Sequence, residues 1–297
     1  MGRPIEIVEV GPRDGLQNDP ADLTIDEKLE FIQRLEASGI CRVEAGSFVS
    51  PRAVPKMADS PEIFRQLEKA KGRSRIALAL NEKGMRRATD AEADEINFVL
   101  VASETFGKRN QGMTPEESAD MLDQCAPLAH EAKICLSATI SVAFGDPYDG
   151  EVDPAVVETL ARRAAAAGVV ELALGDTIGV ATPWAVRSMT ERLKAAIPRT
   201  PLRMHFHDTR GLGPANVFAA VDAGVDIIDA SCGGIGGCPF APAATGNVAT
   251  EDVVFMLERA GFETGIDLRQ MIETAHWLEG VLGHPISSAL SRAGTFP

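Results

Sequence analysis

A pair of histidines separated by one residue is the sharpest chemical signal in the sequence. His205 and His207 end a short apolar run that has the composition of a β-strand. Alternate residues of a strand face the same side, so the spacing predicts that both imidazoles point the same way. Two adjacent imidazoles begin a divalent metal site, which a carboxylate such as Asp14 and an amide such as Asn247 could complete. The alternative is that one histidine is an ordinary core residue.

Cys238 leaves several interpretations open. A closed structural zinc site could use His205, His207 and Cys238, but no fourth nitrogen or sulfur ligand lies nearby in the sequence. The cysteine lies in a glycine-rich stretch, GGIGGCPFAPAATGN, where it is either an inert buried thiol or a reactive one. The chain has five cysteines and no CxxC pair, which argues against a disulfide scaffold and for free thiols.

Arg13 directly precedes Asp14 in the run VGPRDGLQN. A buried guanidinium is costly unless it is paired or binds an anion. Glu44 or Asp176 could provide a purely structural partner. Glu44 could also orient Arg13 so that its remaining N–H groups stabilise an oxyanion or an enolate on a substrate. The two interpretations are compatible.

Short β-branched runs alternate with amphipathic stretches along the chain, at a spacing of roughly 30 residues. Helical stretches begin with capping residues, as where Glu27 follows Thr24 by three positions. Eight β-then-α units predict a (β/α)8 TIM barrel over 1–266 with a C-terminal helical extension over 267–297. A doubly wound sheet is the rival, but it typically needs a glycine-rich loop after an early strand. The predicted strands are 5–10, 42–48, 75–80, 95–101, 133–142, 169–174, 202–207 and 226–231.

The barrel prediction also locates the active site, because in such a fold the active site lies at the C-terminal ends of the strands. Nearly every predicted strand ends in a polar residue. These are Asp14, Glu44, Asn81, Ser103, Glu104, Asp176, Thr177, His207 and, in the loop after the eighth strand, Cys238.

The charge balance excludes some partners. The 297 residues include 29 Lys and Arg against 43 Asp and Glu, a net charge of −14, which opposes loose binding to nucleic acid or to anionic membranes. The sequence contains no apolar run of about 18 residues, as a membrane span would need, and its start lacks the apolar core of a signal peptide. A cytoplasmic location is therefore expected.

Five blocks of sequence together resemble the 3-hydroxy-3-methylglutaryl-CoA lyase family, within the Asp-Arg-Glu TIM-barrel metallolyases. The resemblance covers residues 5 to about 266. It implies a metal-dependent retro-Claisen cleavage of a 3-hydroxy-3-methylglutaryl-CoA-like thioester to acetyl-CoA and acetoacetate, and it suggests a homodimer. The blocks, in the order of the family, are EVGPRDGLQN, VEAGSFVSPRAVPKMAD, LGDTIGVATP, HFHDT and GGCPFAPAATGNVATED.

The resemblance also implies a role for each matching residue. Magnesium or manganese would be held by Asp14, His205, His207 and Asn247. Arg13 would stabilise the enolate of acetyl-CoA, Glu44 and Asp176 would support the site, and Cys238 and His205 would transfer protons. Residues predicted to bind the acyl-CoA substrate are Arg13, Gln17, Asn110, Tyr148 and Thr177.

Four departures from the family pattern leave the substrate open. Arg210 and Leu212 replace a Tyr and a Gln, Asp146 replaces a Cys, and Pro20 replaces a Lys. A longer or related 3-hydroxyacyl-CoA is therefore an alternative substrate. A Claisen-type synthase of the same superfamily would usually carry a Glu in place of Leu16 and a longer C-terminal region. A catalytically idle acyl-CoA-binding barrel is the remaining alternative.

Overall fold

A computed structural model describes residues 2–236 and 246–296 of the chain. Within these residues eight parallel strands form a closed barrel in chain order, β1 to β8, which confirms the TIM-barrel prediction. The strands are β1 (Glu6–Glu9), β2 (Arg42–Ser47), β3 (Ser74–Ala79), β4 (Glu95–Val101), β5 (Cys135–Ser141), β6 (Leu172–Asp176), β7 (Leu202–Phe206) and β8 (Ile227–Ala230).

Helices follow the strands and cover the outside of the barrel. They are α1 (Leu16–Asn18), α2 (Ile25–Ala37), α3 (Ser60–Gln66), α4 (Glu82–Asp90), α5 (Glu104–Asn110), α6 (Pro115–Ala132), α7 (Pro154–Ala166), α8 (Pro183–Ala196), α9 (Gly213–Asp222), α10 (Thr250–Arg259), α11 (Leu268–Leu282) and α12 (Ala289–Ala293). Short turns of π- or 3₁₀-helix lie at Gly11–Gly15, Pro55–Met57 and Cys232–Gly234. No helix in the described ranges is both long and apolar enough to span a membrane.

Local signals in the sequence explain most helix boundaries. Thr24 and Glu27 exchange hydrogen bonds as a capping box at the start of α2, as predicted. The boundary of β5 differs from the prediction, because Lys133 adopts a left-handed conformation with φ of 58° and ends α6. Asn81 also proves to be structural, since its side chain caps α4 by accepting a hydrogen bond from the backbone N–H of Gly84.

The interior of the barrel is charged near the N-terminal ends of its strands. Arg42 on β2 forms ion pairs of 2.9 Å with Glu95 on β4 and with Glu171, which lies just before β6. Arg203 on β7 lies 3.2 Å from Glu171 and 3.4 Å from Asp229 on β8. The outward faces of the strands pack against the helices in the large apolar core. The inside of the barrel is therefore a polar column that leads up to the pocket described below.

The C-terminal helices pack against the start of the barrel. Trp277 of α11 lies against Phe31 of α2, with ring centroids 6.2 Å apart, and the guanidinium of Arg34 lies over the indole ring at 4.8 Å. The hydroxyl of Ser287 donates a hydrogen bond of 3.0 Å to the carbonyl oxygen of Gly234. The segment that includes α11 and Ser287 therefore supports the turn that follows β8.

Candidate active site

A cavity of about 360 Å³ opens at the C-terminal ends of the strands. One side is polar and includes Arg13, Asp14, His205, His207 and Asp229. The lining also includes the apolar residues Val49, Val54, Leu78, Leu80, Val99 and Phe106. A pocket lined by both charged and apolar side chains suits a ligand with a reactive polar end and an aliphatic part.

Asp14, His205 and His207 form a metal-ligating cluster in this cavity. The Oδ2 atom of Asp14 lies 3.9 Å from Nε2 of His205 and 3.6 Å from Nε2 of His207. The three potential ligand atoms all lie within 4.8 Å of one another. One carboxylate and two imidazoles suit a divalent cation such as Mn²⁺ or Mg²⁺ when further positions are filled by oxygen ligands. The residues present therefore fit the metal that the sequence suggested.

The electrostatics of the cluster favour the ligating form of Asp14. Burial alone would raise the pKa of this carboxyl group. The adjacent guanidinium of Arg13 and the two histidines outweigh that effect and hold its pKa well below the usual value. Asp14 is therefore a carboxylate throughout the neutral range, ready to bind a cation.

A tight π-helical turn after β1 places Asp14 in the cavity. Three backbone N–H groups in this turn, those of Arg13, Asp14 and Gly15, donate to the carbonyl oxygen of Val10. A Cβ atom on Gly15 would lie 2.6 Å from the side chain of Ile235, so a larger residue would push the turn away from the segment after β8. Glycine is therefore required for the close approach of the two loops that frame the site.

Asn247 reaches the cluster because its backbone extends the end of β7. His207 and Asn247 form an isolated antiparallel bridge, and the N–H of Asp208 donates to the carbonyl oxygen of Gly246. The side-chain nitrogen of Asn247 donates to Oδ2 of Asp14 at 2.8 Å and to the carbonyl oxygen of Ile235 at 3.1 Å. Its amide would have to be turned for the oxygen to ligate a metal, and the contact with Asp14 puts it next to that position.

Arg13 is clamped between two carboxylates. Its Nη1 donates to Oδ1 of Asp14 at 2.6 Å, while Nε donates to Oε2 of Glu44 at 2.7 Å and Nη2 lies 2.6 Å from the same oxygen. Since a guanidinium has five N–H groups, one remains on each terminal nitrogen. Glu44 is thus the structural partner of Arg13, not Asp176, and the clamp leaves donors for an oxyanion in the cavity.

Asn97 and Thr139 support the clamp and were missed in the sequence. Asn97 on β4 donates to Oε1 of Glu44 at 3.1 Å, and the hydroxyl of Thr139 on β5 donates to Oδ1 of Asn97 at 2.9 Å. Both residues line the cavity. A polar Asn within the apolar run EINFVLV was the available signal, because an inward-facing amide needs partners in a barrel interior.

The remaining predicted site residues divide into two groups. Gln17, Asn110 and Thr177 line the cavity, whereas Tyr148 lies outside its lining, where the guanidinium of Arg109 covers the ring at 4.2 Å. Cys238 lies outside the described residues.

Asp176 does not reach the cavity, although its neighbours Gly175 and Thr177 do. Alternation along β6 turns its side chain the other way. There it accepts backbone hydrogen bonds from Val180 at 2.8 Å and Ala181 at 3.1 Å, so it shapes the loop after β6.

Two of the departures from the family pattern stabilise loops around the cavity. Arg210 donates from Nη1 to the carbonyl oxygen of Ile178 at 2.7 Å, which ties the loop after β7 to the loop after β6. Asp146 accepts hydrogen bonds from the hydroxyl of Ser103 and from the backbone N–H of Asp149. Both replacements are therefore integrated into the fold, and neither changes the metal cluster.

Glu9, a further buried acidic residue that was missed in the sequence, lies next to the turn that carries Asp14. Glu9 of β1 is fully buried and accepts hydrogen bonds from the backbone N–H groups of Gly11 and Cys232 and from the hydroxyl of Thr250. Burial raises the pKa of Glu9 to about 8, against the lowering effect of these three donors. Glu9 thus joins the turn that carries Asp14 to the segment after β8.

Replacing Glu9 by glutamine is expected to flatten the dependence of stability on pH. Because the folded-state pKa of about 8 exceeds the ordinary value of 4.5, the folded protein holds a proton that the unfolded chain releases. This contribution is complete below about pH 4.5 and is lost as the pH rises through about 8. The Tm should therefore fall less between pH 5.5 and 8.5 in Glu9→Gln than in the unmodified protein. If the calorimetric Tm of both proteins fell equally with pH, the assignment would be contradicted. The control is Glu131→Gln, a change at an exposed residue, which should follow the curve of the unmodified protein.

Comparison with known proteins finds similar proteins that match nearly the whole chain. A family model described as HMGL-like matches residues 4–278. Hydroxymethylglutaryl-CoA lyase YngG of Bacillus subtilis is 37% identical over 284 residues, which cover 96% of this chain and 95% of that protein. The 3-hydroxy-3-isohexenylglutaryl-CoA/hydroxy-methylglutaryl-CoA lyase of Pseudomonas aeruginosa is 38% identical, with 99% and 98% covered. The structure of an HMG-CoA lyase from Acinetobacter baumannii in complex with coenzyme A and 3-methylmalate matches with a TM-score of 0.93 and 38% identity, covering 99% of this chain and 97% of that one.

Proposed function

We propose that this chain, which belongs to the HMGL-like family, is a metal-dependent carbon–carbon lyase acting on a 3-hydroxy-3-methylglutaryl-CoA-like thioester. The products are acetyl-CoA and acetoacetate. The observation that carries the proposal is the cluster of Asp14, His205 and His207, with the clamped guanidinium of Arg13 beside it in one cavity. The lyase names of the relatives and the coenzyme A in the similar structure support it.

The reaction needs two kinds of assistance, and the cavity provides residues for both. Cleavage removes the proton of the 3-hydroxyl group and leaves a thioester enolate that must be stabilised until it is protonated. A bound divalent cation would lower the pKa of the hydroxyl and polarise the thioester carbonyl. Asp14, His205 and His207 would hold that cation, with the amide of Asn247 next to it.

Arg13 meets the charge that develops on the enolate. Glu44 and Asp14 fix the guanidinium from two sides, so its free N–H groups need no reorganisation during the reaction. Asn97 and Thr139 hold Glu44 in turn. We assign the final protonation of the enolate carbon to Cys238, on the resemblance of the GGCPF segment alone.

The proposal predicts that cleavage depends on an added metal. After treatment with EDTA and dialysis, acetyl-CoA release from 3-hydroxy-3-methylglutaryl-CoA should fall to background and return with Mg²⁺ or Mn²⁺, because both the hydroxyl and the carbonyl depend on the cation. A coupled assay for acetyl-CoA measures this. Absence of release with either metal, from this substrate and from longer 3-alkyl analogues, would refute the function.

The same assay distinguishes the alternative functions. Faster turnover of a longer 3-alkyl thioester would assign the chain to that substrate, which the apolar residues of the cavity could accommodate and which one relative's name includes. Net formation of a carbon–carbon bond from acetyl-CoA and a keto acid would indicate a synthase. Acyl-CoA binding without any turnover would indicate an idle barrel.

We extend the proposal to the metal, the oligomeric state, the location and the domain organisation of the enzyme. The metal is magnesium or manganese, the oligomer is a homodimer and the location is cytoplasmic. The residues from 267 onward form an extension to the catalytic barrel. Size-exclusion chromatography with light scattering tests the dimer, and metal analysis of protein purified without chelator tests the cation.

A further inference from the structure

Asp229 lies beside the metal cluster, in the polar part of the cavity lining. It is on β8, directly in register with His205 on β7. Its Oδ2 atom is 3.2 Å from Nδ1 of His205. The other ring nitrogen, Nε2, faces Asp14 at 3.9 Å and belongs to the ligand cluster. The imidazole therefore lies between two buried carboxylates, with one nitrogen directed toward each.

We propose that Asp229 is a positioning residue for the metal site: by accepting the Nδ1 hydrogen of His205, it fixes the ring tautomer and orientation that present Nε2 to the cation. In the neutral ring, which carries a single N–H, the acceptor-only carboxylate at hydrogen-bond distance holds that hydrogen on Nδ1 and leaves Nε2 with its lone pair. A partner of this kind behind a ligating histidine fixes the ring and increases its basicity as a ligand. The inference rests on the metal site of the proposed function and adds a residue outside the set of ligands.

Arg203 supplies the charge that keeps this carboxylate in place. It is among the most deeply buried side chains, at 1% exposure, and its Nε lies 3.4 Å from Oδ1 of Asp229. The same nitrogen lies 3.2 Å from Glu171, which is also paired with Arg42. A buried carboxylate without a cationic partner would be costly and would tend to bind a proton, whereas a paired one remains an acceptor. The polar column inside the barrel thus ends at His205.

The arrangement assigns His205 to metal binding instead of proton transfer. When Nε2 binds the cation and the Nδ1 hydrogen is bound to Asp229, the ring has no free nitrogen with which to take or give a proton. Proton transfer to the product must then use another group in the cavity or its loop.

Two measurements test the proposal. In protein labelled with ¹⁵N-histidine, long-range ¹H–¹⁵N correlation spectra, with and without Mg²⁺, report which nitrogen of His205 carries hydrogen. We expect it on Nδ1 in both. Calorimetric titration with Mn²⁺ should show affinity weaker by about 10- to 100-fold in Asp229→Asn, because the charged acceptor is lost. The matched control is Asp226→Asn, which makes the same change just before β8, where the exposed Asp226 pairs with Arg3 and not with His205, and should leave the affinity within about twofold.

Each outcome decides a different claim. Hydrogen on Nε2 of His205 with none on Nδ1 overturns the proposal whether or not Asp229→Asn folds, because the spectrum uses the unmodified protein. Unchanged Mn²⁺ affinity in folded Asp229→Asn, or equal weakening in Asp226→Asn, also overturns it. Failure of the unmodified protein to bind Mn²⁺ would instead refute the metal site of the proposed function, and the metal-free spectrum would still show whether Asp229 fixes the tautomer.

Discussion

Replacing His207 by alanine is expected to abolish both metal binding and acyl-CoA cleavage. Its Nε2 lies 3.6 Å from Oδ2 of Asp14, so the change removes one of three clustered ligands while Asp14 keeps its ion pair with Arg13. Loss of the cation removes several kcal/mol of transition-state stabilisation, a rate decrease of about 1,000-fold or more. Calorimetric titration with Mn²⁺ and the acetyl-CoA assay measure the two effects separately.

A matched variant controls for the loss of an imidazole. His130 is exposed on α6 and lies outside the lining of the cavity, so His130→Ala should keep both the metal affinity and the rate. If His207→Ala retained Mn²⁺ affinity and turnover within a few-fold of the unmodified protein, the ligand set would be wrong. A loss of turnover with normal metal binding would place His207 in substrate binding and leave the cation to other residues.

The metal cluster could be predicted from the sequence because its signals are local. The alternation of a strand alone places His205 and His207 on one side, and a barrel brings the end of β1 with Asp14 to the same rim. The same argument failed to distinguish Asp176 from its neighbours. The predicted strand ended before Asp176, whereas Asp176 is the last residue of β6, and alternation along the strand turns its side chain into the following loop.

The supporting residues could not be predicted, because their partners are set by register between strands. Asp229 faces His205 only through the pairing of β7 with β8. Asn97 reaches Glu44 across the closed barrel, from β4 to β2. Glu9 meets the N–H of Cys232, 223 positions away. Each contact depends on how the barrel closes, and composition or spacing within one segment carries no information about that.

Replacing Arg13 by lysine is expected to lower kcat while leaving metal affinity nearly unchanged. A lysine keeps the positive charge beside Asp14 but lacks the planar fork that reaches Glu44 and Asp14 together. The donor aimed at the enolate oxygen is then lost, and removal of one such donor typically reduces kcat by about 100- to 1,000-fold. Steady-state kinetics with the metal at saturation measure the effect.

The division of the effect between kcat and KM decides what Arg13 does. An interaction made only in the transition state lowers kcat and kcat/KM together, whereas one that binds the ground state raises KM alone. Arg34→Lys is the matched control, because Arg34 lies on α2 between Glu30 and the ring of Trp277, outside the lining of the cavity. An Arg13→Lys enzyme with normal kcat and raised KM would make Arg13 an anchor for the thioester and would require another donor for the enolate. A fall in kcat at unchanged Mn²⁺ affinity would show that Arg13 stabilises the transition state separately from the cation, although Asp14 contacts Arg13 and also belongs to the metal cluster.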